Sequence, residues 1–129
     1  KNNGGLLMID YGFTSGKMTN TLQSVEKHRK ISFLKNPYNS DITHLINFKM
    51  YKKEFANFNL KSLITTQGNF LIKLGILKRA EIISKNLQFS KKADIFYRIK
   101  RLIDAKYMGS LFKVLFVSKS ENNFNLGFK

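Results

Sequence analysis

Gly4-Gly5-Leu6-Leu7-Met8-Ile9-Asp10-Tyr11-Gly12 sets four apolar residues in a row behind two glycines. An apolar run with no polar alternation predicts a strand buried on both faces. The run stops at Asp10-Tyr11-Gly12, which puts a carboxylate, a phenol and a flexible backbone position at the strand's carboxyl end. In open α/β sheets that edge is where ligands bind. Only Lys1-Asn2-Asn3 precede the run, and an interior-type strand so early predicts a piece of something larger.

Downstream the pattern changes. Thr14-Ser15-Gly16-Lys17 predicts a turn. Met18, Leu22 and Val25 fall at helical spacing, but Thr19, Asn20 and Thr21 are poor helix formers. Residues 18–30 therefore read as a short helix or an irregular loop on the active face. Lys35–Ser40 holds the only proline, Pro37, and predicts a loop. Asp41 reads as a cap before Ile42-Thr43-His44, and Asn47 as a cap opening a helix with Phe48, Tyr51, Phe55 and Phe58 on one face.

Leu60–Gln67, with Ile64, Thr65 and Thr66, predicts a strand ended by Gly68. Phe70, Leu71 and Leu74 predict a helical turn broken by Gly75, and Leu77, Ala80, Ile83 and Leu87 continue as a helix. Ser90 is expected to cap the next helix, whose stripe is Ile95, Phe96, Ile99, Leu102 and Ile103. Lys91, Lys92, Arg98, Lys100 and Arg101 lie largely off that stripe, and Gly109 ends the stretch. Leu111–Val117 predicts a last apolar strand, and residues 119–129 a mobile end. With no internal repeat or linker, residues 1–129 read as a single, incomplete domain.

Composition narrows the class. A chain of 129 residues forms one modest domain that buries roughly two-thirds of its unfolded surface. Hydrophobic content of 43% and aromatic content of 13% fit a globular core. No apolar run approaches the ~20 residues that span a bilayer, so no membrane insertion is expected. Zero cysteines exclude disulfides and thiolate metal sites. The net charge of +15 points to an anionic partner or to a solvated lysine surface. Nearly all the cations are lysine, amid abundant Asn, Ile and Phe, as an AT-rich genome supplies. The surface reading is therefore preferred and nucleic acid is not expected as a partner. A basic, non-enzymatic module for RNA or another polyanion is kept as the alternative function.

Local chemistry does not by itself name a reaction. There is no G-x-G-x-x-G, P-loop or H-E-x-x-H, and no G-x-S-x-G elbow. The histidines, His28 and His44, have no cysteines or clustered carboxylates with them, so no metal site is expected. Asp10 could orient a donor or remove a proton while Gly12 admits a ligand to the backbone; Asp10 could equally accept backbone hydrogen bonds at a strand exit. Thr21-Leu22-Gln23 with His28 offers polar groups before a loop, or local turn bonding. Asp41-Ile42-Thr43 reads first as a helix cap. Gln67 could bond a substrate or its neighbours' backbone.

The joint order of these groups carries a resemblance. Gly4-Gly5 through Ile9-Asp10-Tyr11-Gly12, Thr21-Leu22-Gln23, His28, Pro37, Asp41-Ile42-Thr43 and Phe48 come first. Thr66-Gln67-Gly68 with Phe70-Leu71, Leu74-Gly75-Ile76 and Met108-Gly109-Ser110-Leu111-Phe112-Lys113-Val114-Leu115 follow. Together, from about Gly4 to Ser118, they resemble the C-terminal half of the MidA-type S-adenosylmethionine-dependent methyltransferases. The mitochondrial members of that family are the complex I assembly-factor arginine methyltransferases.

The resemblance implies an α/β fold: the C-terminal portion of a Rossmann-like class I methyltransferase, with a mixed sheet. Leu60–Gln67 and Leu111–Val117 would be its closing strands, the last inserted antiparallel. It implies S-adenosylmethionine as cofactor, with the glycine-rich loop and the acidic residue for the ribose upstream. The partners it implies are the N-terminal half of the same domain and a protein substrate, in a bacterial cytoplasm or a mitochondrial matrix. Asp10, Tyr11 and His28 are its candidate catalytic residues, and Gly12, Gln23, Asp41, Thr43 and Gln67 its substrate-proximal ones. This chain alone is then expected to be inactive. Departures from the family's pattern are Leu45 for a histidine, Asn47 for an aspartate, Ser32-Phe33 for Asp-Pro and Tyr38 for a glycine.

Overall fold

The structure, a computed structural model, describes residues 4–16 and 19–129. Its elements in chain order are β1 (Gly5–Phe13), β2 (Gln23–Glu26), β3 (Arg29–Ile31), β4 (Asp41–Thr43), β5 (Ile46–Asn47) and α1 (Phe48–Asn57). They continue with β6 (Leu60–Thr66), α2 (Gln67–Lys73), α3 (Ile76–Ser84), α4 (Phe89–Ile103), α5 (Met108–Leu111) and β7 (Phe112–Lys119). One sheet has four strands in the order β5-β1-β7-β6, and a small one has three in the order β3-β2-β4.

β7 lies between β1 and β6 and is antiparallel to both. β1 and β6 therefore point the same way, and the expected mixed sheet with an inserted antiparallel strand is what the chain forms. Met8, Leu115 and Ile64 are partners across three strands and share one face. α1 covers that face: Phe48, Leu115 and Val117 form the core, with Met8, Ile46, Tyr51, Phe55, Leu60 and Ile64 packed on it. Phe116 on β7 meets Phe124 at 4.7 Å and Phe128 at 6.4 Å between ring centres.

β1 is not buried on both faces as its apolar run predicts: Leu6 is 51%, Leu7 47% and Ile9 48% exposed. The reason is pairing. Along Gly5–Tyr11 its partner is β7, whereas β5 joins the other edge only at Gly12 and Phe13. The fully covered strand is β7, where Val114 through Val117 are all buried. The strand also runs on to Phe13, so Asp10 lies inside it and not at its end.

Residues 19–30 form no helix, while Lys17 and Met18 lie outside the described residues. β2 and β3 make a hairpin in which Glu26 pairs with Arg29 across a two-residue turn. Lys27 at φ 48° and His28 at φ 64° give that turn the left-handed backbone that matches strand twist. Asp41 caps no helix; it opens β4 and pairs with Val25, because β-branched Ile42 and Thr43 fit a strand. Asn47 does cap α1, its side chain accepting from the Met50 N–H at 3.1 Å. Phe58 leaves the apolar face at the helix end and is 73% exposed.

Gly68 sits inside α2, where a Cβ would strike the Ile103 carbonyl. α2 is capped by Thr66, and α4 begins at Phe89, so Ser90 lies within α4 instead of capping it. Gly109 likewise lies within α5. The C-terminal end, expected to be mobile, is docked. Phe128 packs on Phe70 at 5.3 Å, and Lys73 Nζ donates to the Phe128 carbonyl at 3.1 Å. Among the described residues no helix is long and apolar enough to cross a membrane.

Gly12 is the tightest joint of this architecture that bears on the site. A Cβ there would strike the Ile46 carbonyl and come within 2.8 Å of the fully buried Phe48 ring. Gly12→Ala is expected to lower unfolding free energy by about 1–3 kcal/mol, as overpacking does. Gly4→Ala, with open space around the position, should change it little. Denaturant midpoints of the two variants check this.

Candidate functional site

The end of β1 builds the site. Because residue 12 lacks a side chain, β5 can lie against β1 with Gly12 opposite Ile46 and Phe13 opposite Asn47. That pairing places the start of α1 beside the strand end. A cavity of about 330 Å³ opens there, with Phe13, Thr21, Leu22, His44, Asn47 and Tyr51 in its wall. Among the described residues no acidic residue, lysine or arginine lines it. Its chemistry is therefore hydroxyl, amide, imidazole and phenol against apolar walls.

Local bonds fix these walls. The Leu45 N–H donates to Thr21 Oγ1 at 2.9 Å, which ties the approach to β2 to the β4–β5 connection. His44 Nδ1 lies 3.2 Å from the Leu45 carbonyl, an acceptor for a protonated Nδ1. Asn47 uses its Oδ1 on the Met50 N–H, which leaves its amide hydrogens for the cavity side.

The residues expected from the sequence fall into separate places. Gln23 and Thr43 are brought together as direct partners of β2 and β4. Asp41 follows on the same strand pair, opposite Val25. His28 heads the β2–β3 turn, past the other end of β2 from Gln23. Asp10 and Tyr11, as neighbours in one strand, face opposite sides of the sheet. Asp10 Oδ1 accepts from the Tyr11 N–H at 2.8 Å. The Tyr11 ring meets Phe112 edge-on at 5.5 Å. Gly12 makes room for Ile46 and Phe48. Gln67 is buried, and its Nε2 donates to the Leu102 carbonyl at 2.9 Å, tethering the end of α4.

Reasoning from sequence missed His44 and Tyr51 as cavity residues and read Asn47 only as a cap. The available signal was their spacing around the Asp41-Ile42-Thr43 group. It also left Lys113 without a place. This lysine pairs in register with Asp10 on one side and Thr66 on the other. Burial pushes its pKa below the ordinary lysine value.

Comparison with known proteins places this geometry. The family described as "Putative S-adenosyl-L-methionine-dependent methyltransferase" matches residues 1–65, half of the chain. A zebrafish (Danio rerio) relative, "Protein arginine methyltransferase NDUFAF7, mitochondrial", is 26% identical over 110 residues, which is 85% of this chain and 26% of that protein. A COG1565 superfamily protein from Burkholderia thailandensis superposes with TM-score 0.81 at 26% identity, over 98% of this chain and 36% of that one. A second such structure from the same organism, described as a likely methyl transferase bound to S-adenosyl-homocysteine, superposes with TM-score 0.74 at 26% identity. It covers 98% of this chain and 33% of its own. The chain thus spans about a quarter of the curated relative and about a third of the solved ones. With half its length matched by the family and its sheet shared with these structures, this chain belongs to the S-adenosyl-L-methionine-dependent methyltransferase family.

Proposed function

We propose that this chain is the C-terminal part of an enzyme that methylates a nitrogen of a protein side chain, with arginine as the acceptor. The observation that carries the reading is the superposition of 98% of the chain on a structure bound to S-adenosyl-homocysteine, the product left when the donor loses its methyl. The arginine comes from the zebrafish relative's name. For a mitochondrial member, the sequence resemblance makes a complex I subunit the acceptor protein.

The residues present suit the acceptor side of such a site. Among the described residues the cavity wall is uncharged, and amides, a hydroxyl and aromatic rings suit a flat, delocalised guanidinium once its charge is met nearby. When bound, S-adenosylmethionine supplies an electrophilic methyl on sulfur. Asp10 is not part of that wall; we assign it the guanidinium charge from its place on β1, two residues before Gly12, with its Oδ1 accepting from the Tyr11 N–H. The carboxylate aligns the attacking nitrogen and receives the proton that nitrogen releases as its bond to carbon forms. Gln23 and Thr43, paired across β2 and β4, adjoin Leu22 and His44 of that wall in the chain, and we assign them, with Asp41, to the acceptor's approach. Tyr11, on the other face, supports the strand through Phe112. His28 contributes at the hairpin tip, where the acceptor protein would approach.

Two measurements test this. Calorimetry should show that the protein carrying its upstream half binds S-adenosylmethionine, while the 129-residue chain alone shows no sub-micromolar binding. Tight binding by the chain alone would overturn the division of the site between two halves.

Asp10→Asn should preserve the fold, since Met8 and the β7 contacts supply the packing. Loss of the charged interaction should cost about 1.5–3 kcal/mol at the transition state, about ten- to a hundredfold or more in rate. Methyl transfer per folded molecule and the thermal midpoint are the readouts. An unchanged rate with a lowered midpoint would remove Asp10 from the reaction.

A further inference from the structure

Met108–Leu115 carries the most telling part of the resemblance, yet the methyl-transfer reading uses nothing of its one charged side chain, Lys113. β7 sets Lys113 between Asp10 and Thr66, so the three share one face where β1 and β6 approach their ends. Lys49 and Lys52 of α1 stand over the same spot. Between them lies a cleft of about 520 Å³, lined by these three lysines with Thr65, Thr66 and Asn69 among its other residues. Among the described residues no carboxylate lines it.

Among the described residues the ion pairs are Lys78–Glu81 and Arg98–Asp94, so no acid within bonding reach answers the three cleft lysines. Among the described residues Asp10, opposite Lys113 in register, makes no ion pair with it, and its Oδ1 accepts from the Tyr11 N–H. Lys113 Nζ donates to the carbonyls of Ser110 and, at 3.5 Å, Leu111, which leaves a third hydrogen. Thr66 Oγ1 accepts from the Asn69 N–H at 3.3 Å and so keeps its own proton to donate. Burial lowers the Lys113 pKa.

A multivalent oxyanion would relieve the repulsion of three clustered cations and collect charge-assisted hydrogen bonds from them. A singly charged carboxylate answers only one of the three. We propose that this cleft is a binding site for a phosphate-type dianion, held by Lys49, Lys52 and Lys113 with Thr66 and Asn69 donating beside them. The cleft shares no lining residue with the uncharged cavity at the end of β1, and the proposal does not depend on the methyl-transfer reading.

The test is calorimetric titration of the full-length protein with inorganic phosphate and with phosphoserine, at an ionic strength held constant by chloride. Saturable binding is expected, at least tenfold weaker in the Lys49→Ala/Lys52→Ala double variant and in Lys113→Met. Tighter phosphoserine assigns the cleft to a phosphate ester; tighter phosphate assigns it to the free ion. Thermal melting shows which variants are folded. Lys49 and Lys52 are exposed, so their double variant decides the matter if Lys113→Met unfolds. No saturable binding by the wild type, or unchanged affinity in the folded double variant, overturns the proposal.

Discussion

β7 enters the sheet antiparallel between two strands that run the same way, and its four buried residues, Val114 to Val117, hold the chain together. Leu115 turns to α1 and Phe48; Phe116 turns to the other face and meets Phe124 and Phe128. One strand thus anchors the helix on one side and the C-terminal end on the other. Burying side chains of this size contributes about 1.5–3 kcal/mol each. The same register puts Lys113 in line with Asp10 and Thr66, so the strand that makes the core also sets the charged row at the edge of the sheet.

The opposite edge is unfinished. β1 exposes Leu6, Leu7 and Ile9, and over most of its length nothing described pairs with its outer backbone groups. A long apolar edge of this kind pairs readily with another strand. Parallel sheets are covered on both faces, and β5 shows which direction suits this edge, since it runs parallel to β1. An upstream half that continues the sheet beyond β1 would satisfy the ladder and the apolar side chains at once.

What could be read from the sequence follows how local each interaction is. The apolar runs marked β1 and β7, and Asn47 was legible as a cap because its bond reaches only to Met50. Asp41-Ile42-Thr43 was misread because its partner, β2, is distant in sequence, and a short polar-apolar group fits cap and strand alike. The hairpin turn was hidden because Lys27 and His28 hold left-handed backbone without the usual Asn-Gly signature. Burial of β1 was overestimated because a run of apolar residues states what a strand needs, not which partner supplies it. Asp10-Tyr11-Gly12 was visible as a polar stop to an apolar run. The cavity was not, since it depends on Gly12 admitting Ile46. Gln67 left substrate and backbone bonding both open, because nothing local reveals that it reaches Leu102.

The charge of the chain separates along the same lines. The two ion pairs among the described residues are exposed and lie one helical turn apart, an arrangement worth little to stability. The net charge of +15 therefore does not hold this fold together. Most of the lysines occupy positions that water can serve, where a cation carries little penalty and no specific meaning. Lys113 is different. It sits inside the sheet's central strand, is partly withdrawn from water, and has its pKa lowered by that withdrawal. An apolar or neutral side chain at that register would avoid the penalty. A cation kept there, beneath two exposed lysines and with no ion pair to Asp10 across the ladder among the described residues, fits the anion site proposed for the cleft.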